Sequence, residues 1–387
     1  MWWVEHGDSA SLLKLIPDGS VDALVTDPPA GISFMGKEWD GAKGGRDKWI
    51  TWLASILQEC RRCMKPGAYG WVWALPRTSH WTATACEDAG FAVRDVLGHV
   101  FGTGFPKSRA LLKPAMEHWI LIKAPGELRE LRIDENRIEG APRLPGFTKP
   151  HVRTNSILGK DLSEDQYDAD PPSGRWPANF ALSHTDDCEL VGTRKMKGDN
   201  RSPQDGKRDG GFVDVGADKG DGKPCGPLYG DSEVEEWRCT NDCPVRMLDE
   251  QSVKLKAGEH PAKRNAKNGD VMQTGLGANE GKPRLVLDSG GASRFYYVAK
   301  PSSRERSAGL GDDKNTHTTV KSIALMRHLV SLIAAPGALI LDPFAGSGTT
   351  GVAAVKQGCR FVGIEREVEY VDIARRRIAA ATIEAAQ

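Results

Sequence analysis

The first part of the chain alternates short apolar runs with amphipathic stretches, which predicts strands joined by helices. Runs with the length and composition of strands occupy residues 2–5, 23–26, 70–74, 93–100 and 118–123. Helical periodicity covers residues 49–64 and 82–89, and Lys65-Pro66-Gly67 stops the first of these helices. Strands that alternate with helices are typical of an α/β domain with a mainly parallel sheet.

This pattern is interrupted after about residue 125 and returns near the C-terminus. Residues 126–290 are rich in Gly, Pro, Asp and Lys, which favours an irregular, loop-rich module over another layer of the sheet. Regular elements then reappear as a helix at 323–334 and strands at 295–299, 338–341 and 361–364. We therefore expect one α/β domain built from residues 1–125 and 291–387, with the middle module inserted between its halves.

Composition narrows the classes of protein. Hydrophobic residues make up 39% of the chain, and no apolar run approaches the ~20 residues that span a bilayer, so a membrane protein is not expected. The start of the chain lacks the order of a secretion signal, and the 8 cysteines form no dense framework, so we expect a cytoplasmic protein.

Charge gives no overall support to a nucleic-acid partner, because Lys plus Arg and Asp plus Glu are both 52. Local clusters still offer phosphate-binding surface, although such runs are ordinarily solvated faces. One cluster comprises Arg194, Lys195, Lys197, Arg201, Lys207 and Arg208, and the other comprises Lys254, Lys256, Lys263, Arg264 and Lys267.

A glycine turn follows the strand at 338–341. Gly346, Gly348 and Gly351 satisfy the pattern G-x-G-x-x-G, in which the backbone approaches a ligand closely and a helix start offers N–H groups. Glu365 follows the next strand, where an acidic side chain can accept from ribose hydroxyls. The pattern predicts an adenosine-containing ligand and leaves open a pyrophosphate-bearing one, as in a dinucleotide-dependent oxidoreductase.

Asp27, Pro28 and Pro29 come directly after the apolar run 23–26. Proline fixes φ and lacks an N–H, so the pair predicts a stiff loop at the carboxyl end of a strand, where α/β folds bind ligands. An exocyclic base amine is a poor nucleophile. A carboxylate and a main-chain carbonyl that accept its two hydrogens would make it more reactive. The alternative is a plain surface turn.

Both segments resemble motifs of the β-class DNA amino-methyltransferases. Asp342-Pro343-Phe344-Ala345-Gly346-Ser347-Gly348-Thr349-Thr350 is similar to that family's S-adenosylmethionine motif, and Asp27-Pro28-Pro29-Ala30 is similar to its catalytic Asp-Pro-Pro-Tyr motif. The order of catalytic motif, middle module and cofactor motif is that of the β class. The resemblance implies a Rossmann-like methyltransferase sheet, a target-recognition role for residues 126–290 and S-adenosylmethionine as cofactor.

The resemblance also assigns site residues. His6-Gly7-Asp8 resembles the motif whose acid contacts the cofactor's adenine, and residues 315–322 resemble His-Pro-Thr-Val-Lys-Pro, with Thr318 and Ser322 replacing its prolines. Asp27 and the Pro28 carbonyl would activate the amine. The expected cofactor-binding residues are Asp8, Asp27, His317, Thr319, Lys321, Asp342, Phe344, Ala345, Gly346, Ser347, Gly348, Thr349 and Glu365.

Position 30 departs from the family motif, in which an aromatic ring stacks on a base flipped from the duplex. Ala30 has no ring, and stacking is worth ~1–3 kcal/mol per base. The enzyme is naturally weakened, or another ring such as Phe105 substitutes, or the alanine was introduced to slow catalysis. We favour the last, because the flanking residues match the family so well.

The middle module contains two paired half-sites for a metal. His184 and Cys188 are separated by three residues, as are Cys239 and Cys243, and both spacings are compatible with zinc. A loop-rich region gains most from a metal, because binding free energy becomes folding free energy. The alternatives are four unrelated buried residues, or Cys225 in place of one ligand.

The sequence thus predicts a methyltransferase that recognises a short site in double-stranded DNA, flips out an adenine and methylates its exocyclic amine. Cytosine is the alternative target, since aspartate at position 27 only leans towards adenine. A DNA-binding regulator that retains an inactive methylase core would also fit Ala30. We expect a nucleoid-associated protein of bacterial or phage type, and the sequence leaves a homodimer and a restriction partner open.

Overall fold

The computed structural model describes most of the chain. The described residues are 1–32, 40–41, 43–102, 109, 112–138, 175–196, 232–252, 255–256, 289–299 and 305–386. Phe105 and Cys225 lie outside them, as do the loop 103–108 and most of both basic clusters.

A mixed nine-stranded sheet forms the centre of the described structure. Its strands run in the order β1, β13, β12, β2, β3, β5, β4, β6, β11. Neighbouring strands are parallel except where β5 pairs with β3 and β4, so the predicted α/β class with a mainly parallel sheet is confirmed. The bounds are β1 Trp2–His6, β2 Val21–Thr26, β3 Met64–Ala74, β4 Ala92–Val100, β5 Met116–Lys123, β6 Phe180–Ser183, β11 Tyr297–Ala299, β12 Leu339–Asp342 and β13 Arg360–Glu365.

Helices cover both faces of this sheet. One face packs against α2 and α3 through residues such as Leu53 and Ala85, and the other packs against α5, α6 and α7 through residues such as Leu329 and Ile378. The helices are α1 Ser9–Leu12, α2 Arg46–Cys63, α3 Ser79–Asp88, α4 Pro244–Gln251, α5 Ile323–Ile333, α6 Thr349–Lys356 and α7 Val368–Ala385. Strand β2 is apolar along most of its length because it is buried on both faces.

The middle region differs from the expected insertion in one respect. It contributes β6 to the central sheet, where β6 pairs in parallel with β4 and β11. Four residues are too few to show a periodicity, although Ala181 and Leu182 are buried. The region also forms β7 Glu189–Met196 with β8 Ser232–Arg238 and the short pair β9 Leu255–Lys256 with β10 Ser289–Gly290.

None of the helices in the described part of the chain is both long and apolar enough to cross a membrane.

The parallel strands bring their carboxyl ends to one edge of the sheet. Strands β1, β13, β12 and β2 all point the same way, although they come from opposite ends of the chain. The residues at or just beyond these ends are Asp8, Glu365, Asp342 and Asp27. Four carboxyl groups that are remote in sequence therefore lie along the same edge.

The glycine turn requires close packing between α6, α7 and β13. A Cβ atom on Gly351, which lies within α6, would come 2.4 Å from Ile378 Cδ1 and 2.7 Å from Phe361 Cε1. Both neighbours are fully buried, so they have little room to move. The third glycine of the pattern is thus required by packing in the core.

We expect Gly351→Ala to destabilise the protein by about 1–3 kcal/mol, although alanine normally stabilises a helix relative to glycine. Thermal or chemical unfolding measures the effect. Gly192→Ala is the matched control, because a Cβ there meets no atom within 4 Å and the change should be neutral or slightly stabilising. Equal effects of the two substitutions would contradict the packing argument.

Candidate active site

A cavity of about 340 Å³ opens at the carboxyl edge of the sheet, between the Asp-Pro-Pro loop and the glycine turn. Most of the residues expected to act in catalysis or cofactor binding line it. They are Asp8, Asp27, Pro28, Pro29, Ala30, His317, Thr319, Lys321, Asp342, Phe344, Ala345, Gly346, Ser347, Thr349 and Glu365. Gly348 lies behind the lining as the N-cap of α6, and Phe105 is outside the described residues. The structure brings these residues together, while their individual roles stay predictions.

Asp27 lies in this cavity beside a buried ammonium group. Its Oδ2 is 3.2 Å from Lys321 Nζ, and Lys321 Nζ is also 3.2 Å from Glu117 Oε2. Burial raises the pKa of Asp27 to about 6, with a smaller rise from the Glu117 carboxylate and an opposing effect of Lys321. Near neutral pH the carboxylate is therefore available, yet poised to take up a proton.

Asp342 is a second buried carboxyl group, only 1% exposed. It accepts hydrogen bonds from Thr26 Oγ1 at 2.7 Å, from Thr350 Oγ1 at 2.6 Å and from the Phe344 N–H at 3.0 Å. Burial raises the pKa of Asp342 to about 7 despite these donors, and the Asp27 carboxylate adds to the rise. Asp342 thus ties the Asp27 strand to the start of the glycine turn.

Glu365 holds the glycine turn from the neighbouring strand. Its Oε2 accepts from the Gly346 N–H at 2.7 Å and its Oε1 accepts from the Glu367 N–H at 2.8 Å. Burial raises the pKa of Glu365, while these backbone donors act in the opposite direction. Each oxygen retains a further lone pair, so the carboxylate can still accept from a ligand hydroxyl.

Two glycines of the turn adopt the left-handed conformation. Gly346 has φ +52°, and a Cβ there would lie 3.0 Å from His317 Nε2. Gly348 has φ +79° and packs against Ala374 of α7, where a Cβ would come within 2.8 Å. Both the backbone conformation and the close neighbours require glycine at these positions.

Asp8 and His317 have local structural partners as well as lining the cavity. Asp8 is the N-cap of α1, and its Oδ2 accepts from the Ser11 N–H at 3.2 Å. His317 packs edge-on against Tyr370, with ring centroids 4.6 Å apart, and its Nδ1 accepts from the Thr319 N–H at 3.3 Å. These contacts fix both side chains at the cavity wall.

The wall of the cavity carries several aromatic rings in addition to Ala30. Trp52 and Phe344 pack with centroids 5.8 Å apart, and Trp73 lies beside Lys321. Lys43 lies over the Trp52 ring at 4.7 Å. These rings therefore share one cavity with Ala30, the position at which the family motif has its own ring.

Some residues of this site were missed in the sequence. Glu117 and Trp73 both contact Lys321, the ionic partner of Asp27. Arg377 donates from Nη1 to the Ser347 carbonyl at 2.7 Å and to Thr349 Oγ1 at 3.1 Å. Arg377 is 1% exposed, so it supports the glycine turn from the interior. For Glu117, the available signal was a charged residue at an inward-facing position of an otherwise mostly apolar strand.

The predicted metal-binding side chains also come together. The ligand atoms of His184, Cys188, Cys239 and Cys243 all lie within 4.8 Å of one another. His184 Nδ1 is 3.3 Å from Cys239 Sγ and 3.5 Å from Cys243 Sγ. Zinc–sulfur bonds of about 2.3 Å in a tetrahedron place ligand atoms about 3.5–3.8 Å apart, so the donor set and its spacing fit zinc.

Two of the curated proteins that this chain resembles align with it over short segments. DNA adenine methyltransferase YhdJ of Escherichia coli (strain K12) is 42% identical over 69 residues, 18% of this chain and 24% of that protein. Type II methyltransferase M2.DpnII of Streptococcus pneumoniae is 48% identical over 64 residues, 16% of this chain and 24% of that protein. The chain therefore aligns with about a quarter of the length of these relatives.

A solved structure and a family model cover far more of the chain. The crystal structure of the M1.HpyAVI–SAM complex has 16% identity and a TM-score of 0.44, over 98% of this chain and 99% of that one. The N6_N4_Mtase family model, described as DNA methylase, matches residues 21–376. This match includes the Asp-Pro-Pro loop, the middle region and the glycine turn, so the chain belongs to the N6_N4_Mtase family of DNA methylases.

Proposed function

We propose that this protein transfers a methyl group from S-adenosylmethionine to the exocyclic amine of adenine in duplex DNA. One observation carries the proposal. Asp27, a partly buried carboxyl group with a pKa of about 6, lies in the same cavity as the glycine turn of a chain that belongs to the DNA methylase family. The cavity thus combines an acceptor for an amine with a backbone suited to an adenosine ligand.

The residues present fit S-adenosylmethionine. The turn at Gly346 lines the cavity without a side chain, so a ligand can approach its backbone closely. Glu365 retains acceptor capacity for ribose hydroxyls, Asp8 lies at the edge suited to the adenine, and Phe344 offers an apolar ring. A dinucleotide-dependent oxidoreductase would leave Asp27 without a role.

When bound, S-adenosylmethionine supplies an electrophilic methyl group on its sulfonium. We assign Asp27 and the Pro28 carbonyl as acceptors for the two amine hydrogens, which localises the nitrogen lone pair. Nitrogen loses one proton as it gains the methyl group, and Asp27 is poised to take this proton because its pKa lies near 6.

Adenine is the favoured base because aspartate precedes the two prolines, and cytosine at its exocyclic amine is the alternative. YhdJ, by its name, is a DNA adenine methyltransferase. We assign residues 126–290 to target recognition, with β6 anchoring that module to the catalytic sheet. The alternative of a regulator that only binds DNA rests on a single observation, the absence of a ring at Ala30.

We further propose a structural zinc ion held by His184, Cys188, Cys239 and Cys243. The cluster joins the end of β6 to the segment before α4, in a region whose buried apolar side chains are few. A metal there would fix the recognition module to the sheet, because its binding free energy contributes to folding.

We expect Asp27→Ala to abolish methyl transfer to DNA while S-adenosylmethionine binding is retained, because the main partner of Asp27 in the proposed reaction is the target amine. Transfer of labelled methyl groups and calorimetry measure the two properties. Glu365→Ala is the contrasting control and should weaken cofactor binding by about 1–3 kcal/mol, the cost of an unpaired ribose hydroxyl. Loss of cofactor affinity in Asp27→Ala as complete as the loss of activity would refute the assignment.

We expect Ala30→Tyr to raise the transfer rate roughly ten- to a hundred-fold, because one stacking contact is worth ~1–3 kcal/mol. Single-turnover assays on duplex DNA measure this gain, and cofactor affinity should barely change. A smaller gain indicates that a ring already on the chain stacks on the base. No methylation of any DNA, with cofactor binding intact, would favour the regulator.

Elemental analysis should find about one zinc ion per chain, and Cys239→Ser should lose it and lower the melting temperature. Cys359→Ser is the control, since Cys359 is buried outside the cluster and its thiol donates to the Ala335 carbonyl, as a serine could. A folded, metal-free wild-type protein would be incompatible with this proposal.

A further inference from the structure

A row of polar side chains crosses the sheet beneath the cavity. Glu117 Oε1 is 2.8 Å from His99 Nδ1, and His99 Nε2 is 2.7 Å from Ser183 Oγ. Trp73 Nε1 donates to Glu117 Oε2 at 2.6 Å. Strands β3, β5, β4 and β6 are adjacent and each contributes one member, so the row follows the hydrogen-bonding direction of the sheet.

Register explains how Glu117 comes to lie there. Glu117 is directly opposite His99 in the antiparallel pair of β4 and β5. Alternation places it on the same face as Trp119 and Leu121, which belong to the core. A carboxyl group at such a position is costly to bury unless it is paired, and both of its oxygens have donors.

Lys321 connects this row to Asp27. Its ammonium is 3.2 Å from both Glu117 Oε2 and Asp27 Oδ2, and it lies 4.0 Å from the centre of the Trp73 ring. The Lys321 side chain is 13% exposed and the Glu117 side chain 11%. A flexible lysine with partners on three sides is restricted to one position, and that position faces the catalytic carboxyl group.

We propose that Glu117 and Lys321 are positioning residues for methyl transfer. Glu117 holds the Lys321 ammonium in place and accepts some of its hydrogen bonds. Lys321 therefore orients Asp27 through Oδ2 without fully neutralising the Asp27 carboxylate. Oδ1 is then the oxygen that accepts the amine hydrogen. The inference rests on the proposed function and adds a role for Lys321 beyond lining the cofactor pocket.

The charges around Asp27 fix the direction of each effect. Lys321 favours its carboxylate form, whereas Glu117 and Asp40 disfavour it. The Lys321 ammonium and the His99 ring outweigh burial and hold the pKa of Glu117 below its usual range. Glu117 therefore remains a carboxylate while Asp27 titrates. Because activity requires ionised Asp27, the rate of the wild-type protein should fall as the pH drops through about 6.

Substitution of the two positioning residues should shift the midpoint of this fall in rate in opposite directions. Lys321→Met removes the favourable charge and should move the midpoint to higher pH by about 1–3 units. Glu117→Gln removes an unfavourable charge, keeps an acceptor for Trp73 and should move the midpoint to lower pH. A role only in packing would lower the rate of both variants and leave the midpoint unchanged.

The experiment measures single-turnover transfer from S-adenosylmethionine between pH 5 and 9 for the wild-type chain and both variants, with the melting temperature of each. In parallel, the carboxyl ¹³C resonance of Asp27, identified by its loss in Asp27→Asn, is titrated by NMR without DNA. Opposite shifts in the NMR midpoint support the inference, and unchanged or like-directed shifts overturn it. If the resonance shifts as expected but the wild-type chain transfers no methyl group at any pH, the proposed function fails while the positioning of Asp27 stands. Should Lys321→Met fail to fold, the downward shift in Glu117→Gln decides the matter alone.

Discussion

A single ammonium group, that of Lys321, is paired with two carboxyl groups, one buried and one partly buried, and the chemistry of the site depends on this imbalance of charge. Lys321 Nζ lies at equal distance from Asp27 and Glu117, and the Asp27 carboxylate in turn disfavours ionisation of a third carboxyl group, Asp342. Burying charge is costly unless it is paired and hydrogen-bonded. Here Lys321, His99 and Trp73 together stabilise the Glu117 carboxylate enough to offset its burial, whereas Lys321 offsets only part of the cost of burying the Asp27 carboxylate. Asp27 therefore has a pKa of about 6.

The sheet topology creates that arrangement. The Asp-Pro-Pro loop follows a strand near the N-terminus and the glycine turn follows one near the C-terminus, but β2 and β12 are parallel neighbours. The bond between Thr26 and Asp342 therefore joins residues 316 positions apart. Glu365 and Arg377 then hold the glycine turn from two sides, so its conformation is set before any ligand arrives. On the far side of the sheet, the polar row ends at Ser183, the residue before His184 of the proposed zinc site.

Local sequence patterns were enough to predict the fold class and to locate both loops of the site. The Asp-Pro-Pro loop and the glycine turn could be recognised because each consists of consecutive residues whose conformational requirements are distinctive. The His and Cys side chains could be paired on spacing, although the approach of His184 to Cys239 depends on the fold. Glu117 could not be found in this way, since its role depends on the register of β4 and β5 and on a lysine about 200 residues away. Strand β6 was missed because it is short, and its pairing with β4 depends on tertiary structure.

The most direct test of the central claim is the chemical identity of the product. Duplex DNA is incubated with the protein and S-adenosylmethionine carrying an isotopically labelled methyl group, and the digested nucleosides are identified by mass spectrometry. The account predicts label in N6-methyladenine. Label in N4-methylcytosine alone would contradict the choice of base and leave the amine chemistry intact. Unlabelled bases, from a protein that still binds S-adenosylmethionine, would contradict the claim that this cavity activates a base amine for methyl transfer.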